Sequence, residues 1–351
     1  MNSIVGICGY MSSGSSAVTD LLKEFGDANV FDNCEFVFAC FPDGLEDLDW
    51  HLNVKCGKHY GSLAIQRFRR RVTDRWARHL VGKNVAKALC DQFLAEIVQV
   101  KWKGYLMHEG GYFSSAVRRY VRGIVWRLSS HLKLSRLPKL YFKIMCREEE
   151  LATRPSNFDT AAKEYVDSLL DAMGCDRSKL TVLDQPFNGN NPVTCFKYFG
   201  NPKAVVVDRD PRDCYLFYKL YLRSKGIGLQ MAVDTVDEFI AWYKAVRNEP
   251  DGLRERGDIL FMNFEELIYD YENTVRKVAD FCGVEQHIRK GEFFKPRWSR
   301  NNSQLFKNYE SHDEDIAKIE KQLHEYLFPF ERYPDIEAEG EMFYGSQTRR
   351  R

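Results

Sequence analysis

Long hydrophobic runs are missing from this 351-residue chain, and with them any helical membrane span, which needs about 20 consecutive apolar residues. Paired cysteines are missing as well. The ten cysteines stand singly, none in a CxxC pair, and Cys8, Cys40, Cys90, Cys146, Cys214 and Cys282 lie inside apolar runs. That usage argues against a zinc ribbon or a disulfide framework and fits reduced, buried thiols in a cytosolic protein. No basic and apolar leader precedes the first strand pattern, Ile4-Val5-Gly6-Ile7, so neither secretion nor a type II anchor is expected. Internal repeats and low-complexity tracts are also lacking.

Net charge is nearly absent at +1, but its distribution is uneven. Residues 55–147 hold 21 Lys or Arg against four acids, Asp74, Asp91, Glu96 and Glu109. Residues 1–54 carry one Lys against nine acids. A contiguous basic third favours an anionic partner.

With 44% hydrophobic and 29% charged residues the chain can bury a sizeable core. Strand-like runs stand at 3–8, 28–31, 140–146, 180–184, 204–208 and 259–263, several of them continuously apolar, as strands covered on both faces are. Helical patterns fall between them at 15–25, 160–174, 191–199, 211–224, 233–247, 264–282 and 312–327. The alternation predicts an α/β fold: a three-layer, doubly wound domain over residues 1–335 with a central, mostly parallel sheet. A basic helical insertion over about 55–137, with helices at 63–81, 84–99 and 115–134, interrupts it. A polar tail follows from 336 to 351.

Two segments carry the chemistry. The first strand runs into Gly9-Tyr10-Met11-Ser12-Ser13-Gly14-Ser15-Ser16 and then a helix. Glycines let backbone N–H groups curl around an anion, and the helix N-terminus and serine hydroxyls add donors, so this loop suits a phosphate. Ser15 stands where a P-loop lysine belongs, which leaves no cation for a γ-phosphate. The second segment closes the strand Ala204–Val207 with Asp208-Arg209-Asp210-Pro211-Arg212-Asp213. Pro211 opens a helix where its missing N–H costs nothing. The arginines offer a bidentate clamp for a second phosphate. Asp208 and Asp184, each ending a strand, can equally be read as magnesium ligands of a P-loop kinase or NTPase.

Together these segments resemble the nucleotide-binding elements of sulfotransferases that use 3′-phosphoadenosine-5′-phosphosulfate (PAPS). In layout the chain is most similar to bacterial carbohydrate or polysaccharide sulfotransferases. Residues 258–267 and the helix ending Phe281-Cys282-Gly283-Val284 resemble the family's late strand and helix. Ser299-Arg300-Asn301-Asn302, with Lys307 beyond, resembles its C-terminal basic loop. The resemblance implies a P-loop-like fold, that Ser12, Ser13, Gly14, Ser15 and Ser16 hold the 5′-phosphosulfate, that Arg209 holds the 3′-phosphate, and that Arg300 and Asn301 lie on the basic loop that folds over the nucleotide. It also implies PAPS as donor, PAP as product, and no metal.

Two positions depart from the family pattern. Ser12 replaces the loop Lys or Arg that stabilises the leaving oxygen, and Phe217 replaces a serine eight residues after Arg209. The missing charge is expected from Lys55, Lys58 or Arg300; otherwise the chain is a nucleotide-binding protein without turnover. For the base that takes the acceptor's proton, the resemblance places Glu35 after the second strand, expected to be part-buried with a raised pKa. His59 and Asp184 are the alternatives. The acceptor implied is an anionic or lipid-linked glycan hydroxyl, reached in the cytoplasm or at the inner membrane face. Peripheral membrane contact would run through the basic insertion, where Val117, Tyr120, Val121, Ile124, Val125, Leu128 and Leu132 recur at helical spacing among Arg118, Arg119, Arg122 and Arg127. No nucleic-acid recognition pattern accompanies the charge, so nucleic acid is not an expected partner.

Overall fold

Seven strands organise the described residues: β1 (Ile4–Gly9), β2 (Ala28–Phe31), β3 (Val100–Gly104), β4 (Arg147–Leu151), β5 (Leu180–Asp184), β6 (Pro202–Asp208) and β7 (Ile259–Asn263). They come from a computed structural model that describes residues 3–73, 77–104, 115–132, 136–223 and 234–340. The chain divides into two compact units, residues 1–37 with 174–351, and residues 38–173.

In the first unit β2, β5, β1, β6 and β7 lie side by side in that order, all parallel. The register aligns the carboxyl ends: Ile7 opposite Asp184, Gly9 opposite Val207, and Asp208 opposite Asn263. β1 is central, between β5 and β6: from β1 the chain leaves for β2 on one side, and from β6 it leaves for β7 on the other. Ligands of open α/β sheets bind in the crevice at such a switch point.

The sequence explains both faces. Ala17, Val18, Leu21 and Leu22 form one stripe of the helix Ser15–Leu22 and pack with Val5 and Ile7 of β1, Val205 and Val207 of β6, and Val275 and Val278 of the helix Tyr271–Cys282. Burying each such aliphatic side chain is worth about 1.5–3 kcal/mol before entropy is counted. Gly283, at φ 73°, ends that last helix. A second cluster joins the helices Pro211–Leu216, Val236–Val246 and Asp313–Gln322 through Tyr215, Phe239, Ile240, Ile316 and Leu323. Thr235 and Glu238 form a capping box that starts the middle helix.

The second unit contains all of residues 55–137 that are described. Its core is aromatic: Tyr165 stacks on Phe93 at 5.1 Å and meets Phe68 edge-on at 6.2 Å. β3 and β4 pair antiparallel as a separate ribbon. Residues 140–146 are not a strand. They lie in or just after the helix Arg136–Met145, because Leu137, Leu140, Tyr141 and Ile144 repeat at helical rather than alternating spacing. The helix expected over 191–199 is reduced to Val193–Phe196. Residues 341–351 of the expected tail lie outside the described residues.

Candidate active site

The serine-rich loop leaves the carboxyl end of β1 and turns tightly, Ser13 N donating to Tyr10 O at 2.9 Å. Two residues take left-handed backbone, Ser12 at φ 64° and Gly14 at φ 86°. At Gly14 a side chain is doubly forbidden, since a Cβ would stand 2.6 Å from the Phe264 ring. At Gly9 a Cβ would lie 2.4 Å from Ser13 Oγ and 2.9 Å from Val207 O. Left-handed backbone costs a non-glycine residue on the order of 1 kcal/mol, so Ser12 stores strain in the loop. The helix behind the loop has no acid in its first turn, so its positive end is not neutralised there.

The hydroxyls are placed differently. Ser13 is buried and its Oγ has no hydrogen-bond partner. Ser15 Oγ accepts from Gln185 Nε2 at 2.9 Å, and Ser16 O accepts from Thr19 Oγ1. Ser12 shares a hydrogen bond with the Tyr218 hydroxyl, whose own pKa burial drives upward. An orphaned buried hydroxyl costs about 1–3 kcal/mol, which an arriving anion would recover.

Arg209 reaches the same place from β6. Its guanidinium is buried, donates from Nη1 to Ser12 O at 3.2 Å and from Nη2 to Asn302 O, and leaves Nε without a partner. Phe217 and Phe264 stand 5.2 and 5.3 Å from it, centroid to Cζ. Loop and arginine thus converge with two unpaired buried donors, Ser13 Oγ and Arg209 Nε. This cradle fits an anion such as a phosphosulfate or a phosphate ester.

Neighbouring carboxylates are already engaged. Asp208 takes Arg247 side-on, with Nε at 2.9 Å and Nη2 at 2.7 Å, and also receives the Arg209 backbone N–H at 2.7 Å. Asp210 caps its helix by accepting from Arg212 N at 2.9 Å and pairs with the Arg212 guanidinium. Asp213 accepts from Gln304 N and Leu305 N, both at 2.7 Å, tying the 299–305 segment beneath the site. Burial, then the charge of Asp210, pushes the Asp213 carboxyl up to about 7. Burial likewise raises Glu265, whose Oε1 accepts from Asp210 N.

Not every candidate from the sequence gathers here. Arg300 turns toward Asp335, with Nε at 3.0 Å from Oδ1, and Asn301 Nδ2 donates to Glu339 O. It is Asn302, through its carbonyl, that meets Arg209. Glu35 lies two strands from β1 on the carboxyl edge, where Phe36 N donates to Asp184 O at 2.7 Å. It is exposed rather than part-buried, because the chain there follows the rim of the sheet before turning inward at Phe36. Its charge and that of Asp184 add to burial in raising the Cys34 thiol. Asp184 itself is buried at the end of β5. Lys55 is exposed in the second unit, and the side chains of Lys58 and His59 lie outside the described residues.

Sequence reading missed Arg247, Tyr243 and Tyr218. Tyr243 donates to Arg209 O at 2.9 Å, and its ring supports the Arg247 guanidinium at 3.3 Å. A faint signal existed: Tyr243 and Arg247 are four apart on one helix pattern and so share a face. A cleft of about 480 Å³ opens beside them, lined by Tyr10, Asp208, Arg247, Phe261 and Tyr326 among others. Among the described residues no three His, Cys, Asp or Glu side chains come together as a metal site.

No curated protein sequence matches the chain significantly. Among solved structures it is similar to a sulfotransferase from Alicyclobacillus acidocaldarius, at 13% identity and a TM-score of 0.39, covering 91% of this chain and 95% of that one. A sulfotransferase domain from the curacin biosynthetic pathway gives 12% identity and 0.40, covering 94% and 99%. The sulfotransferase STF9 from Mycobacterium avium gives 15% and 0.37, covering 97% and 78%. The decisive match is to a family model, described as the sulfotransferase family, over residues 5–287. That span runs from β1 through the loop, Arg209 and the helix after β7, and the chain belongs to the sulfotransferase family.

Proposed function

We propose that this protein transfers a sulfuryl group from PAPS to a hydroxyl of an acceptor, most consistent with a carbohydrate. The observation that carries the reading is the convergence of the Ser12–Ser16 loop and Arg209, with Ser13 Oγ and Arg209 Nε buried and unpaired. Bound there, PAPS supplies the sulfuryl group and departs as PAP. Ser13, the backbone N–H groups of the loop and the positive end of the helix Ser15–Leu22 would hold its phosphosulfate. Arg209 would hold the 3′-phosphate, a contact that asks Nε and one Nη to form a fork.

The acceptor oxygen forms its bond to sulfur as the bridging oxygen leaves, and its proton must go to a base. Glu35 is assigned that role: it is exposed on the carboxyl edge, where an incoming sugar hydroxyl can reach it. Asp184, buried beside it, and His59 are the alternatives. Arg300 and Asn301 would join the nucleotide only by releasing Asp335 and Glu339, a rearrangement of the kind ligands impose on basic loops. A kinase reading is weaker, because Asp208 would have to abandon Arg247 to ligate magnesium. The carbohydrate assignment rests on the placement of Glu35 and is the finer part of the proposal.

Thermal-shift profiling tests it. PAP without metal should stabilise the fold by about 2.7 kcal/mol at a hundredfold excess over its dissociation constant. ADP, which lacks the 3′-phosphate, should do distinctly less. Equal stabilisation by ATP with magnesium, and none by PAP, would overturn the reading. PAP binding with no transfer to any hydroxyl acceptor would leave a nucleotide-binding protein.

A further inference from the structure

We infer that the helical pair Ser115–His131 and Arg136–Met145 is a docking surface for a bilayer containing anionic lipid, lying in the plane of the headgroups. The first helix is amphipathic in an inverted sense. Tyr120, Val121, Ile124, Leu128 and, just beyond its end, Leu132 recur at spacings of one, three and four, which places them along one face. In a helix packed on its own protein that stripe is covered. Here Tyr120 is 72% exposed, Leu132 59%, Leu128 46%, and Val121 and Ile124 41% each. Leu140 of the second helix, which packs against the first, is 53% exposed.

Charge selects the occupant. Residues 110–147 contain nine Lys or Arg and no Asp or Glu. A second copy docking through this face would bring a positive field against its own like, which disfavours self-association. A soluble polyanion would satisfy the arginines and leave the apolar stripe in water. An anionic bilayer meets both demands: acyl chains take the stripe, and headgroups take Arg122, Arg127, Lys139 and Lys143. Tyr120, at the edge of the stripe and 72% exposed, suits the headgroup boundary. The arrangement lies on the membrane rather than across it, since no helix among the described residues is long and apolar enough to span.

Cosedimentation of the full chain with vesicles decides the matter. Phosphatidylcholine vesicles carrying 30% phosphatidylglycerol should bind it at least tenfold more tightly than pure phosphatidylcholine, and 0.5 M salt should weaken that binding. The double variants Ile124→Ser with Leu128→Ser, and Arg122→Gln with Arg127→Gln, should each lose tenfold or more. Both should keep the wild-type melting temperature and the PAP thermal shift, so a folding defect or a failed nucleotide reading is told apart from a failed docking surface. Equal binding to neutral vesicles, or unchanged binding by both variants, would overturn the inference. So would a concentration-dependent dimer that the serine variant abolishes without any vesicle binding. Capture by heparin fragments alone, indifferent to the serine variant, would reassign the arginines to a soluble polyanion and also overturn it.

Discussion

Replacing Asp208 by Asn separates a structural carboxylate from a metal ligand. Arg247 keeps its charge in a nearly dry place, its side chain 2% exposed between the rings of Tyr243 at 3.3 Å and Tyr10 at 4.1 Å. Burial alone pulls the pKa of such a guanidinium down; the charge of Asp208 more than offsets it, and the net direction is upward. Asparagine keeps the shape of Asp208 and one acceptor oxygen but removes the countercharge. A buried charge left unpaired in this way costs about 3–5 kcal/mol. At roughly 2–4 °C per kcal/mol for a unit of this size, Asp208→Asn should lower the melting temperature by about 6–20 °C. Combining it with Arg247→Met, which removes the orphaned charge and retains most of the volume, should recover much of that loss. Thermal and urea denaturation of the four proteins of the cycle measures the coupling, with ATP binding read in the presence and absence of magnesium. A single Asp208→Asn variant that melts within about 1 kcal/mol of wild type, yet loses magnesium-dependent ATP binding, would refute the pairing argument and restore the kinase reading.

Three further outcomes are expected. Arg209→Ala should weaken PAP by about 10- to 100-fold in a binding titration, matching the 1.5–3 kcal/mol of a charge-assisted contact, while adenosine-5′-phosphosulfate changes little; equal weakening of both would make Arg209 structural. Glu35→Gln should lower turnover about 10²- to 10⁴-fold with PAP affinity nearly unchanged, and unchanged turnover would move the base to Asp184 or His59. Asp213, pushed up to about 7 by burial and the charge of Asp210, holds a proton in the native state that the unfolded chain releases near pH 4. Its contribution is therefore greatest at low pH and declines as pH rises from about 4 to 7, by at most about 1.4 kcal/mol per unit. Asp213→Asn should flatten that part of the pH–stability curve, and an identical slope in the variant would show that Asp213 is ionised throughout.

The sheet was legible because its signals are local. Continuous apolar runs such as Ala204–Val207 announce strands covered on both sides, and Gly9 through Ser16 directly after such a run announces an anion loop. The ribbon was not. β4 reads Arg-Glu-Glu-Glu-Leu, which no propensity favours as a strand. It forms because β3, Val-Lys-Trp-Lys-Gly, sets Lys101 opposite Glu150 and Lys103 opposite Glu148, the first pair closing to 2.9 Å. The partner lies some fifty residues away, and charge complementarity at that distance leaves no mark in either segment alone. Arg247 was invisible for the same reason: nothing near it in sequence says that Asp208, 39 residues earlier, will need a cation. The burial of Glu35 was misjudged by reading its flanks, Cys34 and Phe36, as its surroundings. In this irregular segment after β2, Phe36 goes inward while Glu35 stays exposed.

The two departures from the family pattern, Ser12 and Phe217, meet at one side chain. Ser12 removes a cation from the loop, and its carbonyl accepts from Arg209 Nη1 at 3.2 Å. Phe217 stands where the resemblance expects a serine, and its ring lies 5.2 Å from the same guanidinium, with Phe264 on another approach at 5.3 Å. Flanked by two rings and nearly excluded from water, that charge is screened far less than one on an exposed lysine. On the proposed reading the two departures therefore bear on one fixed, desolvated arginine, whose charge serves the 3′-phosphate. The aromatic ring at 217 packs against that arginine and helps hold it in place. Arg209 is thus positioned by its fork and by two rings, so its replacement by Lys, which keeps charge but loses the fork and the stacking, is not conservative here.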